Sequence, residues 1–272
     1  MSSGNELFTV EKFNDRLYVI TDLGHVRMFL VIGDEKACLI DSGFGVGNIK
    51  KFIEENITDK YCFNLTTHCH IDHVNGCGLY DECYLNEKDW DMYENAYRFD
   101  RRLEKKAFAD MDPATFDPKR TIPFLNVKDG DEFDLGGITL KAIECPGHSP
   151  GSIVILIKEM RICIYGDAIG RRTGFTGAGS IPISEFLKGL YNVKKYDGQY
   201  DVILRNHNDL TCPLDMLDNV IECAESILNN TDDRFPLVYH GTPCFAAREV
   251  NEKQTRVDGK LGNIFYIEEK RK

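Results

Sequence analysis

The sequence predicts a layered α/β or α+β domain, and two observations predict it. Short runs rich in β-branched and aromatic residues occur in both halves of the chain, and helical patterns follow each set of them. No internal repeat, low-complexity tract or Pro/Ser-rich linker interrupts the 272 residues. That length fits one large domain or two small ones, and spacing alone does not give the topology.

The elements run as follows. Arg16–Thr21, Met28–Ile32 and Ala37–Ile40 read as strands, with Gly33-Asp34 as the hairpin between the last two. Asp41-Ser-Gly-Phe-Gly is a turn, and a helix follows over 47–56 with Ile49, Phe52 and Ile53 on one face. Phe63–Thr66 is a strand that leads into a His-rich segment. Residues 87–110 read as helix. Two strands lie within Phe133–Ile143 around Gly136-Gly137, and Ser152–Ile157 pairs with Arg161–Tyr165. Ile183–Tyr196 reads as helix, Asp201–Leu204 as strand, Pro213–Leu228 as helix and Asn263–Ile267 as a last strand.

Bulk composition narrows the class. Hydrophobic residues are 42% and charged residues 28%, which is ordinary for a globular chain long enough to bury about three quarters of its unfolded surface. The net charge of −11 repels phosphate backbones, so nucleic acid is not the expected partner. No basic-then-apolar leader opens the sequence and no run approaches ~18 apolar residues, so neither export nor a membrane span is expected. The ten Cys are scattered singly, as in a cytoplasmic protein with reduced, mostly buried thiols.

The informative segment is Thr67-His68-Cys69-His70-Ile71-Asp72-His73. Neutral imidazoles and a carboxylate are ligands that zinc, iron and manganese accept. Four such groups converge only if the backbone turns there, and Gly76 and Gly78 would ease a strand-to-helix turn. Alternation points Cys69 away from its neighbours, into packing. Three further candidates stand at the C-terminal ends of expected strands: His148 in Cys145-Pro-Gly-His-Ser-Pro-Gly-Ser152, Asp167 in Tyr165-Gly-Asp-Ala168, and His207 in Arg205-Asn-His-Asn-Asp209. Loops there are where α/β scaffolds place reacting groups.

These segments together resemble the metallo-β-lactamase fold superfamily, over nearly the whole chain and with the candidate ligands in the family's order. The resemblance implies one domain over 1–272 with a four-layer αββα sandwich: two sheets, helices outside, and metals at one edge. It implies two zinc ions, with iron or manganese as alternatives. His68, His70 and His148 would hold the first, Asp72, His73 and His207 the second, and Asp167 would bridge them. Asp41 either orients a ligating His or caps the next helix.

Two cations ~3.5–4 Å apart share a hydroxide and make a nucleophile at neutral pH, with no Ser or Cys required. Asp72 is then the candidate to take or deliver the proton. An Asp at 167, where true β-lactamases carry Cys or Ser, resembles the glyoxalase II, lactonase and phosphodiesterase members. Quorum-quenching lactonases carry a Tyr at the position of Gly170, which departs from that branch. The expected function is therefore hydrolysis of an ester, thioester, lactone or amide in a small molecule. A rival resemblance is to persulfide dioxygenases, which would use one iron on His68, His148 and Asp167. A third reading is a non-catalytic metal-binding protein, against which the intact set of seven ligands speaks.

Several residues carry open alternatives. Residues 88–120, with Trp90, Tyr93, Tyr97, Phe99, Phe108 and Phe116, form either a helical cap with an apolar pocket or a helix packed on the core. Arg171 and Arg172 either receive a substrate carboxylate or phosphate or lie in a solvated loop. His25 touches substrate or is an ordinary surface or core His. His240, before Gly-Thr-Pro-Cys-Phe, is a candidate for the pocket rim.

Overall fold

Short, largely buried strands organise the N-terminal half of the chain. The computed structural model describes residues 7–97, 103, 107–177 and 179–272, and these form two compact units: 1–127 with 132–140, and 128–131 with 141–272.

In the first unit, Phe8–Asn14 (β1), Leu17–Asp22 (β2), Arg27–Ile32 (β3), Ala37–Ile40 (β4), Cys62–Leu65 (β5) and Cys83–Tyr84 (β6) make one sheet in sequence order. β1 to β4 are antiparallel neighbours, whereas β4, β5 and β6 run parallel. The crossover from β4 to β5 is the helix Ile49–Asn56 (α1), as a parallel pair requires. Asn48 caps it by accepting from Lys51 N at 3.0 Å. Its apolar face, Ile49, Phe52 and Ile53, packs on Phe8, Ile20, Met28, Leu30 and Leu39. Burial of that face, at about 25 cal/mol per Å² of apolar surface, holds the helix to the sheet.

Residues 87–97 differ from the single helix expected over 87–110, Leu103 is helical as expected, and 98–102 and 104–106 lie outside the described residues. A 3-10 segment, Glu87–Met92, is followed by one α-turn, Tyr93–Ala96, which we label α3 after the turn Ile71–Val74 (α2). The aromatic spacing is used for packing instead. Tyr93 is buried with Cys77 and Cys83, Phe108 is buried with Val26, Phe44 and Val46, and the Tyr97 hydroxyl donates to Asp117 O at 2.8 Å. Phe99 lies outside the described residues. Arg120 is buried beneath this segment and donates to the carbonyls of Cys77, Tyr80, Asp81 and Pro123.

The strand Glu132–Asp134 (β7) turns at Gly136-Gly137 into Thr139–Glu144 (β8). In the second unit β8 is followed by Ile153–Ile157 (β9), Ile162–Ile164 (β10), Val202–Leu204 (β12) and Thr211–Cys212 (β13), ordered β13-β12-β10-β9-β8. Every residue of β9 and β10 is buried, so these strands read as continuous apolar runs. Helices Ile183–Lys194 (α4) and Met216–Leu228 (α5) bury Phe186, Leu190, Val193, Val220 and Ala224 with Val154, Leu156 and Cys163.

A third sheet was not anticipated. Thr173–Phe175 (β11), Ile264–Tyr266 (β16), Thr242–Ala246 (β15) and Phe235–Tyr239 (β14) hydrogen-bond in that order. All ten Cys are free thiols, and eight of them are buried. No helix among the described residues is long and apolar enough to cross a membrane.

Candidate functional site

Each unit gathers its own set of potential metal donors. In the first, β4 and β5 end side by side, because Asp41 N donates to Leu65 O at 3.0 Å. The chain leaving β5 turns at once into α2, with His73 N donating to His70 O at 3.0 Å. This turn places four side chains together. His68 Nε2 lies 3.0 Å from His70 Nδ1, and His73 Nε2 lies 3.8 Å from Asp72 Oδ2. The Cys69 side chain points the other way, into a cluster with Val74, Cys77 and Leu85, while its backbone N donates to the buried Asp89.

Gly76 and Gly78 play a different part from the one expected. Their backbones have ordinary negative φ or extended geometry and do not need glycine for the turn. What they provide is close approach. A Cβ on Gly76 would sit 2.5 Å from Ser42 O, and one on Gly78 would sit 2.0 Å from Pro118 O. The turn is thereby pressed onto the loop after β4, where Ser42 N donates to His73 O at 2.7 Å.

Asp41 lies in that loop, in the left-handed region at φ 59° and fully buried. Its carboxylate accepts from Thr67 N at 2.7 Å, from the Thr67 hydroxyl at 2.9 Å, and faces His73 Nδ1 at 2.8 Å. The cap of α1 is Asn48. A carboxylate only accepts here, so His73 points a protonated Nδ1 at Asp41 and turns Nε2 toward Asp72.

The second unit gathers the other three. The Cys145–Ser152 loop is braced internally: Ser149 N donates to the Ser152 hydroxyl at 3.0 Å, and the two hydroxyls meet at 2.8 Å. His148 stands on this brace, Asp167 follows β10, and His207 follows β12. Asp167 Oδ2 lies 3.7 Å from His148 Nε2 and 3.4 Å from His207 Nε2. Those separations are too long for good hydrogen bonds. Donors placed 2.0–2.1 Å from one tetrahedral ion stand about 3.4 Å apart, so the spacing suits ligands of a shared cation.

The remaining candidates lie as follows. His25 is exposed at the turn before β3, at φ 61°. His240 is exposed at the β14–β15 turn, its ring against Tyr239 at 4.2 Å. Arg171 pairs with Asp209 at 3.2 Å, and Arg172 donates to Gln254 Oε1 at 3.2 Å and Asn208 Oδ1 at 3.4 Å.

Two residues escaped the sequence reading. Asp22, at the end of β2, is buried and accepts from Val26 N and Phe44 N, each at 3.1 Å. Burial, and secondarily the charge of Asp72, pushes its carboxyl up to about 6, against the opposing pull of those backbone donors. Arg205 is buried, and desolvation lowers its pKa against the favourable charge of Asp167. Arg205 also explains Gly170, because a Cβ there would meet its Nη2 at 2.6 Å. Neither role was legible locally, since a strand-end Asp and a strand-end Arg are common surface residues.

Comparison with known proteins agrees with this architecture. The acyl-coenzyme A thioesterase MBLAC2 of Homo sapiens is 23% identical over 186 residues, which is 62% of this chain. The match covers 65% of that relative, so the chain spans just under two thirds of its length. A Bacillus subtilis (strain 168) protein named probable metallo-hydrolase YqgX is 29% identical over 154 residues, covering 52% of this chain and 64% of its own. Among solved structures, a metallo-beta-lactamase from Pontibacter korlensis superposes with a TM-score of 0.58 at 15% identity, covering 80% of this chain and 99% of that one, a likeness of fold. The family model described as the metallo-beta-lactamase superfamily matches residues 21–211, a span that holds all seven candidate donors, and the chain belongs to that superfamily.

Proposed function

We propose that this protein is a dinuclear metal-dependent hydrolase that cleaves a thioester or related ester of a small molecule. The observation that carries the reading is the Asp167 carboxylate standing 3.4 and 3.7 Å from two imidazole nitrogens, in a chain whose other donors crowd the His68–His73 turn. His68, His70 and His148 would hold one ion, Asp72, His73 and His207 the other, with Asp167 between them. Imidazole and carboxylate donors without thiolate suit zinc, and also iron or manganese. A bound pair of such ions supplies activated water and polarises the scissile carbonyl.

The chain's own residues do the rest. Asp41 fixes the His73 tautomer so that Nε2 faces inward. Asp72, partly exposed and 3.8 Å from His73 Nε2, takes the proton released by the attacking water and returns it to the leaving group. A thiol leaving group needs little help from that proton, and the thioesterase name of the MBLAC2 relatives supports this choice of substrate.

Elemental analysis of protein purified without added metal, with a screen of thioesters, esters and lactones, tests the proposal. About two equivalents of metal and turnover of one acyl class are expected. One equivalent of iron with oxygen uptake on glutathione persulfide would instead establish the dioxygenase chemistry. The His207 Nε2 contact to Asp167 favours hydrolysis, since the single-iron arrangement makes no use of His207.

A further inference from the structure

A shallow groove in the second unit has no part in the chemistry above. Five cations line it, Arg171, Arg172, Lys253, Arg256 and Lys260, and no carboxylate does. That is a concentrated exception in a chain of net charge −11. The cations are not equivalent. Arg256 is tied to Asp258 at 2.5 Å and to Gly262 O at 2.9 Å, Lys260 to Glu222 at 3.1 Å, and Arg171 to Asp209 at 3.2 Å. Among the described residues, Arg172 and Lys253 have no carboxylate within salt-bridge distance.

Arg172 is nonetheless held in place. Gln254 and Asn208, both neutral, accept from its two Nη atoms, and Gln254 is itself fixed by donating to Val238 O at 3.3 Å. The loop that carries Lys253 is ordered by Asn251, whose side chain accepts from Lys253 N at 2.9 Å and Thr255 N at 3.1 Å. A positioned guanidinium with uncommitted charge, beside a second cation, is built for a phosphate. The groove is also close in structure to the proposed chemistry, because Asn208 and Asp209, which hold Arg172 and Arg171, directly follow His207.

We propose that this groove binds a phosphate group carried by the substrate, which makes the substrate an acyl thioester of a phosphorylated thiol, as coenzyme A is. This rests on the thioesterase reading, and the two stand or fall in separate measurements. Phosphate binding at a distance from the reacting carbonyl lowers KM without acting on the bond-breaking step.

The experiment compares an acyl-coenzyme A with the same acyl group on N-acetylcysteamine, which lacks phosphate. Arg172→Ala and Lys253→Ala are each expected to lower the kcat/KM preference for the coenzyme A ester by ten- to hundredfold, through KM. An unchanged preference in both variants overturns the proposal. Adenosine 3′,5′-bisphosphate is titrated in parallel by calorimetry. It is expected to bind wild type and to bind each variant at least tenfold more weakly. Equal binding by wild type and variants overturns the groove as a phosphate site. Weakened binding without a change in substrate preference overturns the substrate assignment and marks a site for a separate phosphate. If wild type hydrolyses neither thioester, the substrate assignment fails, while the wider screen of esters and lactones still decides the proposed function and the titration still decides the groove.

Discussion

The Asp41 carboxylate lies 2.8 Å from His73 Nδ1, and both side chains are sealed from solvent. Asp41 also accepts from the backbone and hydroxyl of Thr67, the residue before His68. One carboxylate therefore sets the tautomer of one candidate ligand and the position of another. Asp41→Ala is expected to weaken metal binding by about 10–100-fold, measured by competition with a chromogenic chelator. Unaltered affinity would remove Asp41 from the proposal.

Asp167 is the carboxylate that two imidazoles face in the second unit. Asp167→Ala is expected to reduce the metal content below two equivalents and to slow hydrolysis at least about a hundredfold. Exhaustive chelation of wild type should give the same loss, restored on adding zinc. Full activity in the chelated protein would refute metal dependence.

Asp22 predicts a pH effect on stability. Its carboxyl is pushed from 3.8 up to about 6 in the folded chain, chiefly by burial. The folded state therefore binds more protons than the unfolded state between about pH 4 and 6, and stability is lost as pH rises through that window. The cost above pH 6 is about 3 kcal/mol. Asp22→Asn should gain on wild type by up to that amount between pH 4 and pH 7, read from urea midpoints of the metal-free proteins. A difference that does not move with pH would contradict the assignment.

Close approach at Gly76 should show as a steric penalty. Gly76→Ala places a methyl 2.5 Å from Ser42 O and is expected to cost about 1–3 kcal/mol of stability, with weakened metal binding because the turn beside His73 must shift. Gly177→Ala, where nothing lies within 4 Å, is the control and should be nearly neutral. Equal thermal midpoints for the two variants would argue against the packing described.

The strands that the sequence made legible are those with strong local signals. Ala37–Ile40 and the buried β9 are short apolar runs bounded by turn residues, and they fold as read. β1 was hidden because most of its residues face solvent, so no alternation marks it. β14 contains Pro236 and has no fully buried residue, two features that argue against a strand when seen in sequence alone. Over 87–97 the expected helix gives way to a 3-10 segment and one α-turn, because aromatic spacing matched a helical period while Asp89 was committed to Cys69 N. The candidate donors were legible because their residue types are rare together. Asp22 and Arg205 were not, since their roles come from partners far along the chain.

The ten free thiols have a practical consequence. Burial pushes the pKa of the two half-buried thiols, Cys62 and Cys212, up to about 12 and about 11, so at neutral pH almost none of either is nucleophilic thiolate while the chain is folded. Alkylation by iodoacetamide should accordingly be limited by how often the structure opens. The mass increments acquired over time then form a clock of local and global unfolding, distributed from Cys38 to Cys244 without engineered labels.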